Sequence, residues 1–120
     1  MTFDPLSEVE DAALSIDDSQ IYLLTEMLQS EKYIEFADSY DVNERERLTV
    51  VTNDLLSVLI EKIRLNPTKL FVLSEFKYAL EKIENEDTEA CESFGEELGK
   101  IMGILNIESS DGLLAFYLGF

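Results

Sequence analysis

The chain has no histidine, one cysteine and two prolines among its 120 residues. Without histidine the commonest general base and metal ligand is missing. That excludes Ser-His-Asp and Cys-His arrangements, every His-containing zinc site, and the Glu-x-x-His motif of ferritin-like di-iron centres. The lone Cys91 forms neither a cysteine cluster nor an internal disulfide, so the fold does not depend on an oxidising compartment. It falls on an apolar helical stripe and reads as a small core thiol rather than a nucleophile. Two prolines and five glycines leave little turn punctuation, which favours a few long helices over many short strands. No Gly-rich loop ends in Lys-Ser or Lys-Thr, and no Gly-x-Gly-x-x-Gly occurs. Asn85-Glu86-Asp87-Thr88-Glu89 lacks the Gly and the terminal Glu of an EF-hand loop. Apolar runs such as residues 113–118 fall short of the roughly 20 residues that span a bilayer. Met1-Thr2-Phe3-Asp4-Pro5 has no basic n-region and no apolar h-region, so a secretory signal is not expected and a cytoplasmic location is. No cofactor and no metal are expected, and no residue pattern names a reaction.

Charge is what the chain has in abundance, and it is segregated. Residues 1–46 hold 13 acidic and 2 basic side chains, residues 47–80 hold 3 and 5, and residues 81–97 hold 8 against the single Lys82. The net charge is −17. A field of that sign repels nucleic-acid backbones and anionic lipid and attracts basic protein surfaces. An apolar fraction of 46% is nevertheless too high for a disordered chain, and the length suits one domain with a real core.

The apolar spacing predicts helices. Residues 1–18 form an acidic N-terminal segment in which Leu6, Val9, Ala13 and Ile16 make only a loose stripe; a short docked helix and a mobile tail both fit it. Residues 19–120 read as a helical bundle domain. Asp18 or Ser19 caps a first helix carrying Ile21, Leu24, Met27 and Leu28, which ends near Ser30. Tyr33, Ile34, Phe36 and Tyr40 fall in a following turn or extension. Asn43 caps the second helix, with Glu44 and Glu46 at the positive end of its dipole and Lys62 and Arg64 at the negative end. Leu48, Val51, Leu55, Leu59 and Ile63 form its stripe, widened by Val50, Leu56, Val58 and Ile60, which places this helix centrally.

Asn66-Pro67 ends the second helix. A third runs from Thr68 or Lys69 to about Glu84 with Val72, Phe76, Ala79, Leu80 and Ile83 inward. Asp87 or Thr88 caps a fourth, where Cys91, Phe94, Leu98, Ile101, Met102 and Leu105 repeat at helical steps. Gly95, Gly99 and Gly103 lie four apart on it. Each costs about 1 kcal/mol relative to Ala, so their spacing predicts a face where another helix comes close. Ser109 or Ser110 caps a last short helix over residues 112–118. The expected fold is all-α: a bundle of four main helices plus a short C-terminal one.

Glu81, Glu84, Glu86, Glu89, Glu92 and Glu96 flank the turn between the third and fourth helices. They read either as a solvated face or as a surface for a basic partner protein. The basic band of Arg47, Lys62, Arg64, Lys69 and Lys77 is expected to pair with surrounding acids rather than to hold phosphates. The expected function is therefore a non-enzymatic protein–protein interaction module, an immunity or antitoxin-like inhibitor of a basic partner such as a toxin domain. No nucleic acid or membrane partner is expected, and the chain should be a monomer or weak dimer. Two alternatives remain beside it: an acidic nucleic-acid-mimic inhibitor, and an enzyme using paired carboxylates.

The stretch Leu59-Ile60-Glu61-Lys62-Ile63-Arg64-Leu65-Asn66-Pro67, with residues 71–83, resembles a bacterial family of small acidic helical proteins known as domain of unknown function 4844. Glu108-Ser109-Ser110-Asp111-Gly112-Leu113-Leu114 and Tyr117-Leu118-Gly119-Phe120 resemble its C-terminal signature. The resemblance runs from about Ser19 to the end and implies a helical fold without catalytic motifs. Residues 55–83 also resemble, more faintly, an immunity protein that blocks a type VI secretion NAD-glycohydrolase toxin. That likeness would imply a cytosolic protein that occludes a toxin's active site.

Overall fold

Five α-helices succeed one another in the computed structural model, which describes residues 3–34 and 42–119. They are α1 (Asp18–Gln29), α2 (Val42–Lys62), α3 (Lys69–Lys82), α4 (Thr88–Leu105) and the short α5 (Leu113–Leu118). Among the described residues no strand forms; the nearest thing is one isolated antiparallel bridge, Ala13 to Thr68. The all-α reading with four main helices and a short C-terminal one holds. Phe36, Tyr40 and Phe120 lie outside the described residues.

The helix starts show how local chemistry sets the boundaries. Asp17, one residue earlier than expected, caps α1: its carboxylate accepts from Gln20 N at 3.0 Å while Gln20 Oε1 accepts from Asp17 N at 2.8 Å. This reciprocal box satisfies two otherwise orphaned donors. Thr68 caps α3 and Asp87 caps α4. α2 begins at Val42, so Asn43 sits inside its first turn rather than at the cap. Gly112, at φ 90°, precedes α5 without a side-chain cap, although Ser110 Oγ accepts from Leu114 N at 3.2 Å.

α2 packs against α1, α3 and α4, which is why its apolar stripe is wide. Leu48, Leu55, Leu56, Leu59 and Ile63 are buried, while Val51, Val58 and Ile60 are half-buried. Val50, expected to widen the stripe, instead faces solvent at 52% exposure. Val72, Phe76, Ala79, Leu80 and Ile83 are buried as their spacing predicts, and so are Phe94, Leu98, Ile101, Met102 and Leu105. Removing side chains of this size from water contributes roughly 1.5–3 kcal/mol each.

The close approach expected along the glycine face is absent at Gly99 and Gly103. A Cβ added at Gly99 or Gly103 would meet nothing within 4 Å, and both residues are exposed. Gly103 instead borders an open recess shared with Leu23 and Met27 of α1, while the buried stripe of Phe94, Leu98, Ile101, Met102 and Leu105 carries the packing of α4.

Residues 3–17 wrap the bundle as a 3-10 turn (Pro5–Glu8) followed by extended chain. The extended part caps the start of α3. Lys69 N donates to Ala12 O at 2.8 Å, Leu70 N to Asp11 Oδ1 at 2.9 Å, and Phe71 N to Thr68 Oγ1 at 3.1 Å. The first three N–H groups of α3, which have no partner within the helix, are thus met largely from 57 to 59 residues away. Leu14 N completes the contact by donating to Pro67 O at 2.7 Å.

Candidate functional site

The α3–α4 turn is built from backbone closure at both ends. Ile83 N donates to Leu80 O and Glu86 N to Ile83 O, which reverses the chain. Asp87 then starts α4, its carboxylate accepting from Ala90 N at 2.9 Å. An acidic residue at this position also suits the positive end of the helix dipole.

The six candidate carboxylates do not form one cluster. Glu81 stands near α5, where its Oε2 accepts from the Tyr117 hydroxyl at 3.3 Å. Burial, reinforced by the charges of Glu81, Glu84 and Asp4, pushes the Tyr117 phenol up to about 12. Glu86 is half-buried and turned towards α2: Arg47 Nε donates to its Oε1 at 2.7 Å and Arg47 Nη2 to its Oε2 at 3.0 Å. That two-pronged grip ties the turn to α2. Glu84, Glu89, Glu92 and Glu96 are exposed. Spacings of three and four residues set Glu89, Glu92 and Glu96 on one face of α4.

Among the described residues, four of the five cations of the basic band, all but Lys62, are seen paired with acids of the fold. Besides Arg47 on Glu86, Arg64 pairs with Asp18, Lys69 with Asp111 at 2.6 Å, and Lys77 with Asp4 at 3.6 Å. Each joins segments far apart in sequence, so these cations are spent inside the molecule and leave the surface acidic.

One carboxylate escaped sequence reasoning. Glu44, which reads in the sequence as a dipole partner at the start of a helix, is only 5% exposed. Its Oε1 is buried and accepts no hydrogen bond from any described residue. Burial, the charge of Asp87, a side-chain hydrogen bond with Asp87 and the charge of Glu86 all raise its pKa, opposed by Arg47. No pattern in the sequence marks Glu44, because only the return of the chain through Glu86 and Asp87 covers it.

Cys91 Sγ lies 3.6 Å from both Ile83 O and Glu86 O. Burial first, then Asp87, Glu86 and Glu44, pushes the thiol pKa up, which keeps it protonated and a poor nucleophile. Among the described residues no group of three or more His, Cys, Asp or Glu side chains is placed to hold a metal ion. No described helix is long and apolar enough to cross a membrane. An open cleft of about 570 Å³ is lined by Asn43, Glu46, Arg47, Val50, Val51 and Lys82; neither Glu44 nor Asp87 borders it.

Comparison with known proteins yields one match. The family model Domain of unknown function (DUF4844) covers residues 15–120, and the chain belongs to that family. No curated protein and no solved structure matches it. The family match lends nothing to the immunity-protein likeness.

Proposed function

For this member of a family of unknown function, we propose a non-enzymatic role as a protein–protein interaction module. It would bind a basic partner in the cytoplasm, in the manner of an immunity or antitoxin-like inhibitor that covers a toxin domain. The observation that carries this reading is the exposed row Glu89, Glu92 and Glu96 on α4, continued by Glu84 in the preceding turn. Arg47, Arg64, Lys69 and Lys77 meanwhile pair with acids elsewhere in the fold. In the first turn of α4, Glu89 suits the helix dipole. Beyond that turn, a row of carboxylates along an exposed helix face adds self-repulsion, so its use is sought in steering a cationic surface. An enzyme using paired carboxylates would set both of them in a cleft. Buried Glu44 and exposed Asp87 do not border the open cleft of about 570 Å³ beside α2.

The test is co-expression with the basic products of neighbouring genes, followed by association kinetics on any complex that forms. Reversal of Glu84, Glu89 and Glu92 to Lys should slow association by roughly tenfold or more at low salt and flatten its salt dependence. Unchanged association with the true partner would reject this face and leave the charge as a solubility device.

A further inference from the structure

We propose that Glu44 holds a proton that it donates to Asp87 across the junction of α2 and α4, and that this hydrogen bond latches the first turn of α4 to α2. The geometry is that of a buried carboxyl, Glu44, against an exposed one, Asp87, at the start of α4. Glu44 projects from the first turn of α2 and is 5% exposed, with Oε1 shut off from solvent and from any described donor. Its neighbour Asp87 already accepts from Ala90 N as the cap of α4, and a carboxylate retains lone pairs for a further donor. A proton on Glu44 turns the unsatisfied oxygen into a donor to Asp87 and removes a buried charge in one step. Leaving that charge in place would carry a full desolvation penalty.

The surrounding groups favour this arrangement over a bare carboxylate. Glu86 and Asp87 face Glu44 from the α3–α4 turn, Cys91 from α4, and Arg47 from α2 itself. Two of these are anions. Arg47, the cation among them, opposes the shift at Glu44 while also gripping Glu86 at two points. A metal ion is a poor substitute for the proton, since among the described residues no set of three ligands converges.

The sign of the effect follows from burial. A carboxyl held protonated in the folded state binds its proton more tightly than in the unfolded chain. Its contribution is complete in acid and is lost as pH rises through the raised midpoint. Above that midpoint the released proton leaves two carboxylates facing one another, and the first turn of α4 loosens from α2.

Carbon-13 NMR titration of the side-chain carboxyls tests this on the whole protein. The Glu44 midpoint should lie above the ordinary glutamate value of about 4.3, and in Asp87→Asn it should fall. Amide exchange supplies the second readout. Protection at Ala90 and Cys91, corrected for intrinsic exchange, should drop by up to about tenfold per pH unit between the ordinary glutamate value and the raised Glu44 midpoint, and level off above it. In Glu44→Gln, which keeps a donor without a titrating proton, that drop should vanish. A Glu44 midpoint in the ordinary range overturns the proposal, even if neither variant folds. So does an equal pH dependence of Ala90 protection in wild type and Glu44→Gln.

Discussion

Lys69 Nζ lies 2.6 Å from Asp111 Oδ2, joining the first residue of α3 to the loop between α4 and α5. The same oxygen accepts from Glu10 N at 3.0 Å, so three segments meet on one carboxylate. Asp111 itself stands at φ 52° and is followed by Gly112 at φ 90°, two left-handed residues that redirect the chain into α5. Asp111 N donates to Ser109 Oγ at 3.0 Å. The Ser-Ser-Asp-Gly portion of the C-terminal signature is therefore a structural turn: it holds the wrap-around N-terminal chain, α3 and α5 together.

Hydrogen bonds from Lys69 and from the Glu10 amide hold the Asp111 carboxyl below its ordinary value. A depressed folded pKa contributes stability that is present above the unfolded value of 3.8 and is lost as pH falls through the folded one. Asp111→Asn should accordingly lower the denaturant midpoint at pH 7, and the gap from wild type should close towards pH 2. Parallel urea titrations at the two pH values check this; a gap that persists in acid would show that Asp111 acts through backbone geometry alone.

Gly99→Ala and Gly103→Ala should each stabilise the protein by about 0.5–1 kcal/mol, because both positions are helical and open. Thermal melts of the isolated protein would register the gain. A loss of stability at either position would mean that the face is occupied, as it would be in a self-associated state.

Phe94 is fully buried in the middle of α4. Phe94→Ala should cost about 3–5 kcal/mol, the usual consequence of truncating a core phenylalanine. An unchanged denaturation midpoint would refute the packing described for this helix.

Tyr33 OH and Thr52 Oγ1 are 2.6 Å apart in the core, and Thr52 Oγ1 donates onward to Leu48 O at 2.8 Å. The tyrosine hydroxyl is therefore the donor to Thr52. Tyr33→Phe should cost about 0.5–1.5 kcal/mol, the net value of one such bond, with near-native far-ultraviolet circular dichroism. A larger loss, or a change in helical signal, would show that the hydroxyl organises more than this contact.

Legibility in the sequence tracked how local the cause was. Pro67 ends the approach to α3, and Thr68 and Asp87 cap their helices through contacts within three residues. The inward faces of α3 and α4 followed from spacing alone. Val50 and the Gly99–Gly103 face did not, since each depended on where neighbouring helices stopped. The acidic row on α4 was visible as composition and spacing, whereas the withdrawal of Glu86 towards Arg47 was not.

The sequence by itself determined the all-α class, the excess of negative charge and the absence of histidine-based chemistry, because these rest on composition and on periods of three and four residues. Only the tertiary structure decided that Asp11 and Ala12 complete the start of α3, that Asp111 gathers three segments, and that Glu44 is buried against Asp87. Each of these joins residues roughly 40 to 100 positions apart. Contacts at that separation leave no local pattern, since their partners are chosen by how the helices pack rather than by the residues beside them.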